Sequence, residues 1–129
     1  MARATADIGQ TQYATTIEAG GHRIIADEPP SNGGADAGPA PYDLLLASLS
    51  ACTAITLRMY ANRKGWPMTN CHVAVHFIRT PDKAESIERA LTLSGDLTDE
   101  QRARIADIAE RTPVTLTLKK GLTITTTLL

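Results

Sequence analysis

Aromatic side chains are scarce in this sequence: one Trp, three Tyr and one Phe among 129 residues. A core must therefore be assembled from Leu, Ile, Val and Ala. Only two cysteines are present, which excludes a disulfide-rich scaffold. No excess of either charge exists, with 13 Lys+Arg against 14 Asp+Glu and a net charge of −1. Broad attraction to nucleic acid or to a membrane surface is not expected. The start, Met1 to Asp7, carries Arg3 but no apolar run after it, so it does not read as a leader peptide. The longest uncharged apolar stretch, Leu44 to Leu57, includes Ser48, Ser50, Thr53 and Thr56. It falls short of the roughly 18–20 residues that a spanning helix needs. What these exclusions leave is a single domain over 1–129, soluble and by default cytoplasmic, with no nucleic-acid or membrane partner.

The patterning predicts both helices and strands. Residues 10–18 are rich in β-branched side chains, Ala19-Gly20-Gly21 reads as a turn, and 22–27 read as the returning strand. Residues 28–41 hold four prolines and three glycines, so they are expected to be loop, and a loop of this length is often functional. One long helix is expected over 42–63, opened by Pro41 and Asp43 and stopped by Gly65 and Pro67. Its first half is apolar nearly all round, which calls for burial on most sides. In so small a chain, a partner subunit would solve that problem. Strands are expected at 71–79 and 86–94. Thr98-Asp99-Glu100-Gln101 matches a capping box and opens a second helix to Arg111. Thr alternates with apolar residues over 114–118 and 122–128, which predicts a closing hairpin. The expected fold is α+β, in the order β-β-α-β-β-α-β-β.

Cys52 is the residue that invites chemistry. It lies within the apolar helix, with Ser48, Leu49, Ile55, Thr56 and Met59 on its face by three- and four-residue spacing. Position alone leaves two readings open, a small buried hydrophobe and a reactive thiol. A reactive thiol needs an environment that favours the thiolate. Cys52 is about ten residues from the start of its own helix, too far for that helix dipole to act, so a cation from another part of the fold would be needed. Cys71 opens a strand and reads as core or edge filler. His72 and His76 share a strand face, but at about 3.3 Å per residue they lie roughly 13 Å apart. They cannot chelate one ion whose ligand atoms sit about 2 Å away, and no metal site is expected. Gly33-Gly34 and Gly38 lack the Gly-Lys-Ser/Thr of a phosphate loop.

Residues 33–67 carry a more specific signal. Gly33-Gly34, then Gly38-Pro39-Ala40-Pro41-Tyr42-Asp43-Leu44-Leu45-Leu46-Ala47-Ser48-Leu49-Ser50-Ala51-Cys52-Thr53, then Leu57 through Pro67 closely resemble the OsmC/Ohr family of osmotically induced and organic hydroperoxide resistance proteins. The likeness continues through Ser94-Gly95-Asp96-Leu97-Thr98 and Ile108 through Val114. It implies an OsmC-like fold built as an intertwined homodimer, with long central helices packed between sheets. The implied activity is thiol-dependent reduction of organic hydroperoxides without a cofactor, and Cys52 falls on the family's peroxidatic cysteine.

Two departures shape the functional expectation. The family's second cysteine precedes a Pro-Val, and here Thr112 precedes Pro113-Val114. Turnover would need an external thiol reductant. The family's activating arginine and its glutamate have no clean match either. Tyr42 stands at the glutamate's place, and Ala19-Gly20 at the arginine's. Arg23 is nearby and is the candidate thiolate stabiliser, with Arg3 and Arg58 weaker. Asp43 is the nearest acid and the candidate orienting group, although nine residues at about 100° each place it opposite Cys52 on a regular helix. Ser48, Thr56, Met59 and Thr112 are expected to line the substrate pocket. The expected function is a one-cysteine hydroperoxide reductase or peroxide sensor using Cys52. The alternative is a non-catalytic protein that binds a small hydrophobic ligand in the dimer cleft.

Overall fold

A computed structural model describes residues 1–129 and divides the chain into two compact units, Met1–Leu45 and Leu46–Leu129. The first unit is a three-stranded antiparallel meander of β1 (Ala4–Ile8), β2 (Thr15–Ala19) and β3 (His22–Ala26), in the order β1-β2-β3. The expected hairpin is present, with Ala19 opposite His22. Gly20 and Gly21 both take positive φ, 57° and 81°, the conformation that a tight two-residue hairpin turn requires. β2 begins five residues later than the β-branched run suggests, because Gln12 turns the chain with φ 44°. β1 is an element that the pattern does not announce. Its Ala-Thr-Ala-Asp-Ile sequence does alternate apolar and polar residues, but the run is only five residues long, two of its apolar positions are Ala, and every residue is exposed.

The long segment after β3 holds only one short 3-10 turn, Pro30–Asn32, yet it is tightly held. Asp27 is 3% exposed, and its carboxylate accepts the backbone N–H groups of Glu28 (2.8 Å), Ala35 (3.2 Å) and Ala37 (3.1 Å). Those bonds, Ala37's foremost, hold its carboxyl below the usual range. At Gly38 an added Cβ would lie 1.8 Å from the Ile25 carbonyl oxygen, so the approach of this loop to β3 needs glycine.

Helix α1 (Pro41–Lys64) leads out of this unit and supplies the central helix of the second. With 24 residues it is longer than the uncharged stretch suggests, long and apolar enough to cross a membrane by length and composition. Core helices of soluble proteins meet the same criterion. The second unit continues with the antiparallel pair β4 (Met68–Arg79) and β5 (Glu85–Gly95), then α2 (Asp99–Ala109) and α3 (Pro113–Lys120). Leu57, Ala61, Met68, Leu97, Ile105 and Ala109 form the core, with Trp66, Cys71, Leu91 and Leu93 packed around it. α2 opens as expected, with the Thr98 hydroxyl accepting from Gln101 N and the Gln101 side chain accepting from Thr98 N.

The fold is α+β, but its order is β-β-β-α-β-β-α-α. The expected closing hairpin is not formed. Residues 113–120 are helical and 121–129 have no regular structure. Pro113 occupies the first helical position after an extended Thr112, a favoured helix start. Thr112 and Thr115, three apart, are the buried positions. The burial period is therefore helical, and the Thr–apolar alternation misleads. Beyond Gly121 the alternation persists without a partner, leaving Leu122, Ile124 and Leu128 exposed. On α1, Ile55 and Met59 are exposed as well.

Candidate functional site

Cys52 sits half-buried in the middle of α1. Its Sγ accepts the backbone N–H of Val114 at 3.5 Å and lies 3.9 Å from Thr56 Oγ1, one helical turn on. Val114 is the second residue of α3, and its N–H is one of the donors that a helix start leaves without an internal partner. The donor that Cys52's own helix cannot provide is thus a backbone N–H from another helix, at the end where the dipole favours negative charge. The sequence alone points to a cation from elsewhere in the fold; the contact seen at the sulfur is a helix start.

A polar cluster supports this contact. Arg89 on β5 has a side chain 12% exposed. Its Nη1 donates to Thr53 Oγ1 (3.0 Å) and Thr115 Oγ1 (2.8 Å), and its Nη2 donates to the Ala109 carbonyl oxygen (2.8 Å). The Glu110 carboxylate lies 4.0 Å from Nη2. Thr53 donates in turn to the Leu49 carbonyl (2.7 Å), and the Thr112 and Thr115 hydroxyls are 2.6 Å apart. Thr53 follows Cys52 in sequence and Thr115 follows Val114, so the guanidinium grips both chain segments that meet at the sulfur. Beside it opens a cavity of about 550 Å³, lined by Leu49, Phe77, Ile87, Arg89, Thr115 and Leu118 among others.

The candidate residues separate into groups. Cys52 and Thr56 are in contact, and Thr112 is fully buried two residues before Val114, bonded to Thr115. Ser48 and Met59 lie on exposed turns of α1 on either side of Cys52. Arg23 is engaged across the hairpin with Glu18 at 3.1 Å, and both side chains are exposed. The Asp43 carboxylate accepts from Ala40 N at 3.1 Å at the start of α1. Arg58 donates to the Met68 carbonyl oxygen. Cys71 is a free thiol packed on the core; burial pushes it up, and Arg58 offsets part of that rise. Arg89, Thr53, Val114 and Thr115 complete the site; Thr53 and Val114 lie within the family motifs without an expected role, and Arg89 and Thr115 lie outside them. A signal for Arg89 does exist: inward positions alternate along β5 as Ile87, Arg89, Leu91, Leu93. A lone charge in an apolar row must find partners inside the fold.

The chain resembles several solved structures. An OsmC-like protein from Mycoplasma pneumoniae superposes with a TM-score of 0.78 at 20% identity, over 92% of this chain and 87% of that one. An osmotic stress induced and detoxification response protein from Psychrobacter arcticus gives 0.77 at 22%, over 91% and 88%. An organic hydroperoxide resistance protein OsmC from Legionella pneumophila gives 0.67 at 22%, over 92% and 89%. At these identities the likeness shows the fold. No curated protein matches the sequence. The model of the family described as OsmC-like protein matches residues 33–127, and the chain therefore belongs to the OsmC-like family.

Proposed function

We propose that this protein is a one-cysteine, thiol-dependent organic hydroperoxide reductase of the cytoplasm, one OsmC-like domain per chain, acting as a homodimer. The observation that carries the reading is the Val114 N–H donated to Cys52 Sγ from the start of α3. Such a donor favours anionic sulfur, and the thiolate is the nucleophile. In the reaction, the Cys52 thiolate attacks the distal oxygen of the hydroperoxide. The O–O bond breaks, the alkoxide leaves and takes up a proton as the alcohol, and Cys52 is left as a sulfenic acid. With Thr112 before Pro113-Val114, resolution falls to external thiol. One thiol condenses with the sulfenic acid, releasing water and forming a mixed disulfide. A second thiol displaces Cys52 and leaves as the external disulfide. The Thr56 hydroxyl, 3.9 Å from the sulfur, is the candidate second donor beside the Val114 N–H. Arg23 and Asp43 are the candidates for stabilising the thiolate and orienting that stabiliser, and each would have to leave its present partner. Ser48, Met59 and Thr112 are the candidates for lining the substrate's path.

The homodimer is what the resemblance to the OsmC/Ohr family implies. The exposed Ile55 and Met59 of α1 and the unpaired alternation of Leu122, Ile124 and Leu128 support a second copy as partner. A second reading, a non-catalytic binder of a small hydrophobic ligand, is favoured by Thr112 and by Leu49, Phe77, Ile87 and Leu118 in a cavity whose lining also carries Glu85, Arg89, Glu110 and Lys119. Intact mass after cumene hydroperoxide and a sulfenic-acid trap separates the two. An adduct lost in Cys52→Ser but kept in Cys71→Ser is expected of the reductase. A folded, reduced protein that gives no adduct leaves the binder.

A further inference from the structure

We infer that Arg89 is the positioning residue of the Cys52 site: its guanidinium locks the start of α3 against α1, so that the Val114 N–H stays aimed at the sulfur. The inference rests on the reading of Cys52 as the working thiol, and it concerns a residue that never touches the sulfur.

The fork geometry carries the argument. Both Nη1 hydrogens are used, one on Thr53 of α1 and one on Thr115 of α3. One Nη2 hydrogen holds the Ala109 carbonyl, in the last turn of α2, where carbonyls lack an intrahelical partner. Only residues 110–112 separate α2 from α3. A single planar group thus fixes the end of one helix, the start of the next and the cysteine's own helix. A lysine ammonium is a compact donor on a flexible stem and lacks that planar fork. Thr112 is also absorbed into this cluster through Thr115. At the place of the family's second cysteine, this chain builds the support of the first. A charge this deeply set is costly unless its hydrogen bonds are satisfied. Its acceptors on three helices make the arrangement specific to one placement of α3.

The test is alkylation of Cys52 by iodoacetamide, read on the tryptic peptide that holds it, at pH 7 and at pH 10. Wild type is compared with Arg89→Lys, Thr115→Val and Thr115→Ser, and each fold is checked by circular dichroism and Tm. In Arg89→Lys and Thr115→Val the rate at pH 7 is expected to fall about fivefold, the factor equivalent to one net hydrogen bond. The rate at pH 10, above the ordinary thiol range of about 8–9, stays near wild type. Thr115→Ser keeps the hydroxyl and follows wild type at both pH values. Folded variants with unchanged pH 7 rates overturn the inference. So does an equal change at both pH values, which reports a loosened structure rather than a lost donor. If Arg89→Lys does not fold, the Thr115 pair decides. Cumene hydroperoxide consumption is measured alongside. Its absence in wild type, together with a fall in pH 7 alkylation in the variants, sinks the reductase reading and supports the role of Arg89.

Discussion

The starts of α2 and α3 solve the same problem in opposite ways. Each helix leaves its first N–H groups without internal acceptors. At α2 the answer is local: Thr98 and Gln101 cap each other's backbone within four residues. At α3 the corresponding threonine, Thr112, makes no cap. Its hydroxyl turns inward to Thr115, and the Val114 N–H goes to a sulfur 62 residues away in sequence. A helix start sealed by its own residues can only stabilise. One left open inside a fold can serve a reacting group, provided something else holds the helix in place. Here that is Arg89, through Thr115 and Ala109.

The most severe way to break this contrast is at Arg89. Arg89→Met removes three hydrogen bonds made by a charged group and leaves the Ala109 carbonyl without its partner. A loss of about 3 kcal/mol is expected in urea unfolding, since bonds to charged groups contribute about 1.5–3 kcal/mol each and neighbours partly compensate. Hydrogen exchange in 113–120 should rise before that in β4 and β5. Uniform loosening of the whole second unit would count against a clamp specific to α3.

A smaller break is Thr98→Ala at the sealed start. It should cost about 1 kcal/mol, the usual loss of a side-chain N-cap. Because α2's start faces no reacting group, the alkylation rate of Cys52 should not change. A Cys52 rate that moved with Thr98→Ala would show that the two helix starts are not separable.

The difference between the two starts also sets what the sequence discloses. The α2 cap is written in four consecutive residues and is legible there, as are α1, the hairpin at Gly20-Gly21 and most of the strands β4 and β5. The family motif places Cys52, and Thr112 stands out as its departure. The start of α3 reads as a strand because Thr112-Pro113 reads as the end of the preceding helix and the residues beyond it alternate Thr with apolar side chains. What decides the matter is a tertiary partner: Arg89, on β5, bonds Thr115 across 26 residues, outside any local window. β1 goes unread for another reason: Ala4, Ala6 and Ile8 alternate with Thr5 and Asp7, but the run is short and all five residues are exposed, so no buried face marks it.

A third set of backbone N–H groups tests the contrast most gently. In the loop after β3 the acceptor is neither a hydroxyl nor a sulfur but the Asp27 carboxylate, which gathers the N–H groups of Glu28, Ala35 and Ala37. The Thr98 cap does not titrate, whereas this one does. Asp27's folded-state value is lowered, chiefly by the Ala37 bond. Its contribution to stability is therefore fully present above the ordinary carboxylate value of about 4 and is lost as pH falls through the lower folded value. Between pH 5 and pH 2 the wild type should lose stability more steeply than Asp27→Asn, whose amide keeps one acceptor oxygen and has no proton to take up. At pH 7 the variant should melt a few degrees lower, with faster exchange at Ala35 and Ala37. Parallel pH profiles for the two proteins would mean that the loop is held by its glycine approaches at Gly34 and Gly38 rather than by the carboxylate. The acceptor at a set of open N–H groups would then matter only at α3, where it is the sulfur of Cys52.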